Sequence, residues 1–247
     1  MTDYFVLVEA ETARLAELAS AIAPETPVPT CPGWTFADLI THVGTMHRWV
    51  THMVSTRNQQ PIWSRQVPNG LADGESGDQK WLAAGMTEML GTLRATDPDT
   101  AMWTWGPSGR ASWWPRRMAH ELVVHRADAE LALGREPLLG TAVAADGIEE
   151  FLENLPAAFW VTRHLAELDV AGATFHLHAT DGPGEWTFAQ GSDGGISWER
   201  GHVKGDVAVR APAGELLLML YGRRSPDGLT VHGDRALLER WLESANL

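Results

Sequence analysis

The sequence predicts an α+β protein with a helical N-terminal part and a small C-terminal α+β part that contains an antiparallel sheet. Three observations support this fold class. Apolar residues recur at helical spacing through the first two thirds of the chain, short runs of alternating apolar and polar residues follow, and the composition changes near Leu165. The predicted domains are therefore a helical bundle over 1–164 and an α+β domain over 165–247.

Five helices are predicted before the composition change. Their apolar residues recur every three or four positions, and prolines, glycines or capping residues mark their ends. They are predicted over 3–23, 35–55, 78–96, 116–130 and 142–159. The second opens with the capping-box pattern T-x-x-D at Thr35 and Asp38. Because this helix carries two adjoining apolar rows, it is predicted to be largely buried.

Alternating segments predict the C-terminal sheet. Four of them are separated by turns rich in glycine and aspartate, which is typical of hairpins. These strands are predicted at 173–177, 185–189, 195–199 and 205–210. An apolar helix over 212–221, a last strand at 229–231 and a closing helix over 234–243 complete the domain.

Composition narrows the classes of partner and compartment. A formal net charge of −13 argues against a nucleic-acid partner, because binding a polyanion usually needs a basic face. The single Cys31 excludes an internal disulfide and a cysteine-rich zinc site, which favours a reducing cytoplasm. The N-terminus lacks the basic and apolar regions of a signal peptide, and no stretch approaches the length of a membrane span, so no membrane association is expected.

The segment RRMAHELVVHRADAE, residues 116–130, carries the main candidate site. On a helix, Glu121 and His125 share a stripe with Met118, Leu122 and Ala129. A carboxylate and an imidazole on a core-facing stripe need compensation for desolvation, and a divalent transition metal bound by both would supply it. The alternative is a partly exposed, hydrogen-bonded pair.

A third ligand would favour the metal, and the second predicted helix offers two candidates. His42 and His47 both lie on or beside its buried surface, whereas His52 points away. Periodicity does not choose between His42 and His47. For each, the alternative is a core histidine whose ring is satisfied by a carbonyl or hydroxyl group.

Two motifs together resemble a known family. The first reads CPGWTFADLITHVGTMHRW, and the second is RRMAHELVVHRADAE. Their pairing, order and spacing are similar to those of the maleylpyruvate isomerase family of mycothiol-dependent metalloenzymes. The resemblance covers essentially the whole chain. It implies a DinB-like four-helix bundle at the N-terminus and a C-terminal α+β domain similar to sterol carrier proteins.

The resemblance also implies a metal site and a reaction. The family's ligands fall on His42, Glu121 and His125, which selects His42 over His47. Three protein ligands leave an open position on zinc or another divalent transition metal, as in catalytic sites. The expected cosubstrate is mycothiol, the small thiol of actinobacteria. The implied function is a zinc-dependent enzyme that activates mycothiol for addition to an electrophile, as a maleylpyruvate-type isomerase or an S-transferase.

The family's C-terminal domain is expected to contribute an arginine after its apolar helix. Here that helix ends in LMLYGRRSPDG, so Arg223 is the first candidate and Arg224 the second. Alternatively, both are solvated charges favoured by the helix dipole. Asp128 is a candidate for an outer-shell hydrogen bond to one of the metal-ligating residues. The alternative is a surface carboxylate that pairs with an arginine of its own helix.

The expected partners are a small-molecule substrate and a low-molecular-weight thiol, and the expected assembly is a monomer or homodimer. A second function from a different class is also compatible with the sequence. A bundle fused to a carrier-like domain can act as a non-catalytic, metal-stabilised protein that either binds a small molecule or has a regulatory role. A fourth protein ligand on the metal, such as His47, would favour that alternative.

Overall fold

Four helices form the N-terminal unit, Met1–Pro137, of the computed structural model, which describes residues 2–245. They are α1 (Tyr4–Ala19), α2 (Phe36–Ser55), α3 (Gln79–Ala95) and α4 (Trp113–Ala132). Helix α1 packs against α3 and α4, and α2 packs against the same two helices, so the four enclose one apolar core. The predicted four-helix bundle is confirmed.

Capping explains where the first two helices begin. The Asp3 side chain accepts hydrogen bonds from the backbone of Phe5 and Val6 at the start of α1. The predicted capping box is present, with the Thr35 side chain accepting from the Asp38 backbone and the Asp38 side chain accepting in return. Helix α1 ends at Ala19, before the predicted 23, and Ser20 is its C-cap residue.

Helix α4 is buried around most of its circumference, although it is rich in charged residues. Its charged residues form ion pairs within the helix and with α1. Arg126 pairs with Glu130 at 2.5 Å and also with Glu11, while Arg14 reaches Glu130 at 3.2 Å. Such pairing lets a polar helix occupy the middle of a domain, because each buried charge keeps a partner of opposite sign.

The second unit, Leu138–Leu247, combines four helices with a five-stranded sheet. The helices are α5 (Thr141–Asn154), α6 (Phe159–Glu167), α7 (Ala213–Leu220) and α8 (Arg235–Ser244). The strands are β1 (Thr174–Ala179), β2 (Glu185–Gln190), β3 (Ile196–Arg200), β4 (Val207–Ala211) and β5 (Thr230–Gly233). Among the residues described, no helix combines the length and apolar character that a membrane span requires.

The sheet is mixed, so the prediction of an antiparallel sheet is wrong in one strand pair. Its order is β3-β2-β1-β4-β5, and β1 runs parallel to β4. The other three neighbouring pairs are antiparallel. Alternation of apolar and polar residues specifies which face a side chain occupies and carries no information about strand direction.

The two faces of β1 differ in character. Phe175 packs against Phe188 of β2 and Trp241 of α8, with ring centroids 4.9 and 5.3 Å away. His176 and His178 point to the opposite face, because side chains alternate along a strand.

The predicted helix over 142–159 is interrupted. Helix α5 ends at Asn154, a 3₁₀ turn spans Leu155–Ala157, and α6 follows as a helix that the sequence did not predict. Pro156 explains the interruption, since proline cannot donate to the preceding helical turn.

The chain forms two compact units that meet in sequence at Pro137. The boundary predicted from composition lies later, near Leu165. The physical reason is that α5 packs against α7 of the second unit. Composition changes where the sheet begins, whereas the compact unit also includes the helices that precede the sheet.

Candidate metal centre

Three donor side chains converge between α2 and α4 of the bundle. The Nε2 atom of His42 lies 3.1 Å from Oε1 of Glu121, and Nε2 of His125 lies 3.3 Å from the same oxygen. The ligand atoms of His42, Glu121 and His125 all lie within 4.8 Å of one another. We call these three residues the bundle cluster. Glu121 and His125 meet because they are one helical turn apart, and His42 faces them from α2.

The donor set of the bundle cluster fits a divalent transition metal. Ligand atoms that share a tetrahedral zinc ion lie roughly 3.3–3.6 Å apart. Two of the separations, 3.1 and 3.3 Å, are already close to that range. Two imidazole nitrogens and one carboxylate oxygen suit zinc and related ions better than magnesium or calcium, which favour oxygen ligands.

Asp128 orients His125 from behind. Its Oδ2 atom lies 2.9 Å from Nδ1 of His125, so Nε2 remains directed toward Glu121. Asp128 is fully buried and therefore is not a carboxylate on the helix surface. It also accepts hydrogen bonds from Thr30 Oγ1 at 2.5 Å and from Cys31 Sγ at 3.5 Å. Two residues of the proline-rich loop before α2 thus hydrogen-bond to Asp128, which in turn orients the His125 imidazole.

Arg117 holds the other carboxylate oxygen of the bundle cluster. Its Nη2 donates to Oε2 of Glu121 at 3.0 Å, one helical turn away on α4, which leaves Oε1 facing the two histidines. The Arg117 guanidinium also lies over the Trp105 ring at 5.7 Å. Sequence reasoning did not assign this role to Arg117, although the spacing of four residues from Glu121 was a usable signal.

The electrostatics of the bundle cluster favour a charged carboxylate. Burial alone would raise the pKa of Glu121, but hydrogen bonds from His125 and His42 and the charges of His125 and Arg117 hold it well below its usual value. Burial would lower the pKa of His125, yet hydrogen bonds with Asp128, Cys31 and Glu121 hold that pKa well above its usual value. Carboxylates therefore surround the imidazole, leaving a site suited to positive charge.

The bundle cluster is partly exposed to solvent. Side-chain exposure falls from 29% at His42 to 22% at Glu121 and 9% at His125. Trp34 borders the two imidazoles, with ring centroids 4.9 Å from His42 and 6.3 Å from His125. His42 is therefore the most accessible member of the bundle cluster, and an indole ring packs beside both imidazoles.

His47, the other candidate for a third ligand, lies outside the bundle cluster. It is fully buried, and its ring lies against the backbone of Leu82 on α3. Burial lowers the pKa of His47 to about 4, so the ring is neutral at physiological pH. His47 is accordingly a core histidine of α2.

The two candidate arginines lie in the second unit, directly after α7. Arg223 Nη1 donates to the backbone oxygen of Tyr221 at 2.8 Å. Arg224 Nε is 2.7 Å from Oε2 of Glu215, so its guanidinium is engaged in an ion pair on α7.

Two family descriptions match successive parts of the chain. Residues 8–130 match the mycothiol maleylpyruvate isomerase N-terminal domain, and residues 142–240 match the MDMPI C-terminal domain. The chain belongs to the mycothiol maleylpyruvate isomerase family. The family's two matched segments lie on either side of the division between the compact units at Pro137. Comparison with curated proteins gave no significant match.

Solved structures share the fold of this member of the mycothiol maleylpyruvate isomerase family. The crystal structure of a mycothiol-dependent maleylpyruvate isomerase matches with a TM-score of 0.59 and 14% sequence identity, covering 94% of this chain and 95% of that chain. A histidine-to-alanine mutant of a mycothiol-dependent maleylpyruvate isomerase matches with the same TM-score and coverage at 16% identity. At these identities the likeness establishes the fold.

Proposed function

We propose that this protein is a metal-dependent enzyme that uses mycothiol as a thiol cosubstrate to isomerise an electrophilic small molecule of the maleylpyruvate type. The observation that carries the proposal is the convergence of His42, Glu121 and His125 on one partly exposed point in a chain of this family. Zinc is the ion that best fits two imidazoles and one carboxylate. Transfer of the thiol to an electrophile is the related reaction that the same site would support.

The residues around the bundle cluster prepare it to hold a cation with a position left open. Asp128 fixes the tautomer and the ring orientation of His125, and Arg117 fixes the rotamer of Glu121. The three side chains of the bundle cluster would hold the ion, and three protein ligands would leave a position for a small molecule. When bound there, zinc supplies the charge that lets a thiol lose its proton near neutral pH.

In the proposed isomerisation, mycothiol is consumed in the addition step and released unchanged in the elimination step. The mycothiol thiolate adds to the cis carbon–carbon double bond of the substrate, and the electron pair moves to the conjugated carbonyl oxygen. The former double bond is now single and rotates. When the electron pair returns, the carbon–sulfur bond breaks, the trans double bond forms and the thiolate is released.

Arg223 is our proposed contact for the substrate carboxylate. A guanidinium can hold a carboxylate through two parallel hydrogen bonds, which fixes the orientation of the attached double bond. Arg224, the second candidate, follows Arg223 in the sequence, and its guanidinium pairs with Glu215. The role proposed for Arg223 is to orient substrate, and it leaves metal binding to the bundle cluster.

The decisive experiment is titration of mycothiol into zinc-loaded protein, followed by calorimetry, for wild type and His125→Ala. The wild type is expected to bind mycothiol, and the variant is expected to bind one zinc ion fewer per chain and no mycothiol. His52→Ala, on the same α2 helix as His42, is the matched control and should behave like wild type.

Three results would overturn the proposal. Mycothiol binding that survives in His125→Ala would separate the thiol site from the bundle cluster. Zinc binding without any mycothiol binding in wild type would point to a different nucleophile, such as a bound water. Mycothiol binding without turnover of any conjugated cis substrate would favour the non-catalytic binding protein.

A further inference from the structure

The C-terminal unit contains a second group of metal-type donors. One donor atom from each of His176, His178, Glu185 and His202 can be chosen so that all four lie within 4.8 Å of one another. We call these residues the sheet cluster. None of them belongs to the two family-like motifs or to the bundle cluster, and all four come from the second unit.

Strand geometry brings three of the four side chains together. His176 and His178 are two residues apart on β1, so they point to the same face of the sheet. Glu185 of β2 is directly opposite His178 in the antiparallel register. Side chains in such opposed pairs are close neighbours, and His178 Nδ1 is hydrogen-bonded to Glu185 Oε1.

A turn after β3 delivers the fourth side chain. The backbone N–H of Gly201 donates to the backbone carbonyl oxygen of Glu185 at 2.9 Å. Thr187 Oγ1 donates to the backbone carbonyl oxygen of Gly201 at 3.2 Å. Gly201 has a φ of 123°, a conformation that favours glycine. The turn places the His202 ring 4.6 Å from the His176 ring and its Nδ1 3.5 Å from Glu185 Oε1.

His176 provides an independent sign that a ligand belongs here. Its side chain is 3% exposed, and its Nε2 atom has no hydrogen-bond partner among the described residues. A buried polar atom without a partner is unfavourable by about 1–3 kcal/mol, so native proteins usually satisfy it. The nitrogen belongs to a group whose other members are also metal-type donors, and a cation would satisfy it.

We infer that the sheet cluster is a second binding site for a zinc-class divalent transition metal, held by His176, His178, Glu185 and His202. Four protein ligands complete a tetrahedral shell, which is the arrangement of a structural rather than a catalytic site. Such an ion would tie β1, β2 and the turn at Gly201 together. Exposure of 28% at His178 and 68% at His202 provides the path by which the ion enters.

The test is zinc titration of the full-length protein, with the bundle cluster disabled by the double substitution His42→Ala and His125→Ala. Wild type is expected to bind two zinc ions per chain, and the double variant one. Adding His178→Ala or His202→Ala to the double variant should remove the remaining ion. Both residues are partly or largely exposed, so these variants are better suited than His176→Ala to preserve the fold.

Two controls make the titration specific to the sheet cluster. His232→Ala, an exposed histidine of β5 in the same sheet, should leave the second ion in place. Magnesium at the same concentration should give no binding, because a nitrogen-rich donor set does not suit it. Loss of all zinc from the double variant, or retention of the ion after both His178→Ala and His202→Ala, would overturn the inference. Either result leaves the proposed role of the bundle cluster intact.

Discussion

In the N-terminal bundle, three donors converge from two helices, whereas in the C-terminal sheet four donors converge from two strands and a turn. Each of the two α4 donors in the bundle cluster is braced by another side chain, Asp128 for His125 and Arg117 for Glu121. In the sheet cluster, strand register and the turn at Gly201 set the geometry. Histidine and carboxylate donors are thus brought together by the four-residue spacing of a helix in one unit and by the two-residue spacing of a strand in the other.

The difference in donor number separates the proposed roles. Three ligands leave a coordination position for a thiol, while four ligands close the shell around the ion. The braced bundle cluster is prepared to hold its geometry while a reactant occupies the open position. The comparison predicts that damage to the bundle cluster removes activity and damage to the sheet cluster removes only an ion.

The largest effect is expected from His42→Ala. This substitution removes one of three ligands, so isomerase turnover should fall to background while the helical circular dichroism signal stays unchanged. His42 is partly exposed, and its loss therefore removes a ligand with little damage to the core. Turnover in the presence of zinc and mycothiol is the measurement, with His178→Ala as the contrasting variant that should retain activity. Equal loss in both variants would contradict the separation of roles.

Arg223→Ala should retain both metal ions and lose substrate affinity. Removal of a charge-assisted hydrogen bond costs about 1.5–3 kcal/mol, which corresponds to a roughly 10–150-fold fall in kcat/KM. Arg224→Ala is the matched neighbour and should stay near wild type, because that guanidinium pairs with Glu215. Steady-state kinetics on both variants checks the assignment, and a loss confined to Arg224→Ala would reverse it.

Asp128→Asn tests whether bracing matters in the bundle cluster. Replacing an outer-shell carboxylate behind a histidine ligand should weaken zinc binding about 10–100-fold without changing the number of ions at saturation. Thr30→Val removes a donor to Asp128 but keeps the contact between Asp128 and His125, so a smaller effect is expected. Competition with a chelator measures both affinities. An unchanged affinity in Asp128→Asn would argue that the helices alone set the geometry.

His47 is a buried histidine that belongs to neither cluster. Its pKa is about 4 in the folded state and 6.5 unfolded, so protonation favours unfolding. Stability from the neutral ring is present above pH 6.5 and is lost as the pH falls toward 4. Between pH 7 and 5 the free energy of unfolding should fall by about 2 kcal/mol more in wild type than in His47→Leu. Urea unfolding at the two pH values measures this, and equal losses would contradict the prediction.

Much of the fold could be predicted from local patterns. The first four helices and all five strands follow from apolar periodicity and turn residues, and the capping box at Thr35 marks the start of α2 correctly. The parallel pairing of β1 with β4 could not be predicted, because the alternation of side chains is the same for either strand direction. The separate helix α6 was missed because the helical pattern continued through Pro156.

The candidate site was predictable only in part. Helical spacing paired Glu121 with His125, and family resemblance selected His42, which the structure brings within 3.1 Å of Glu121. The sheet cluster was missed, although His176 on a predicted strand and His178 one residue beyond its predicted end were a usable signal. Its completion by His202 depends on the turn at Gly201, whose conformation no local periodicity specifies.

The most direct measurement is a crystal structure of the zinc-loaded protein with anomalous data at the zinc edge. An anomalous peak is expected in the bundle, with His42, Glu121 and His125 at about 2.0–2.2 Å and one position free of protein ligands. A second peak is expected within the sheet cluster. A bundle peak enclosed by a fourth protein ligand, or a zinc-loaded crystal with a peak only in the sheet cluster, would show that the bundle does not hold an open, thiol-activating site.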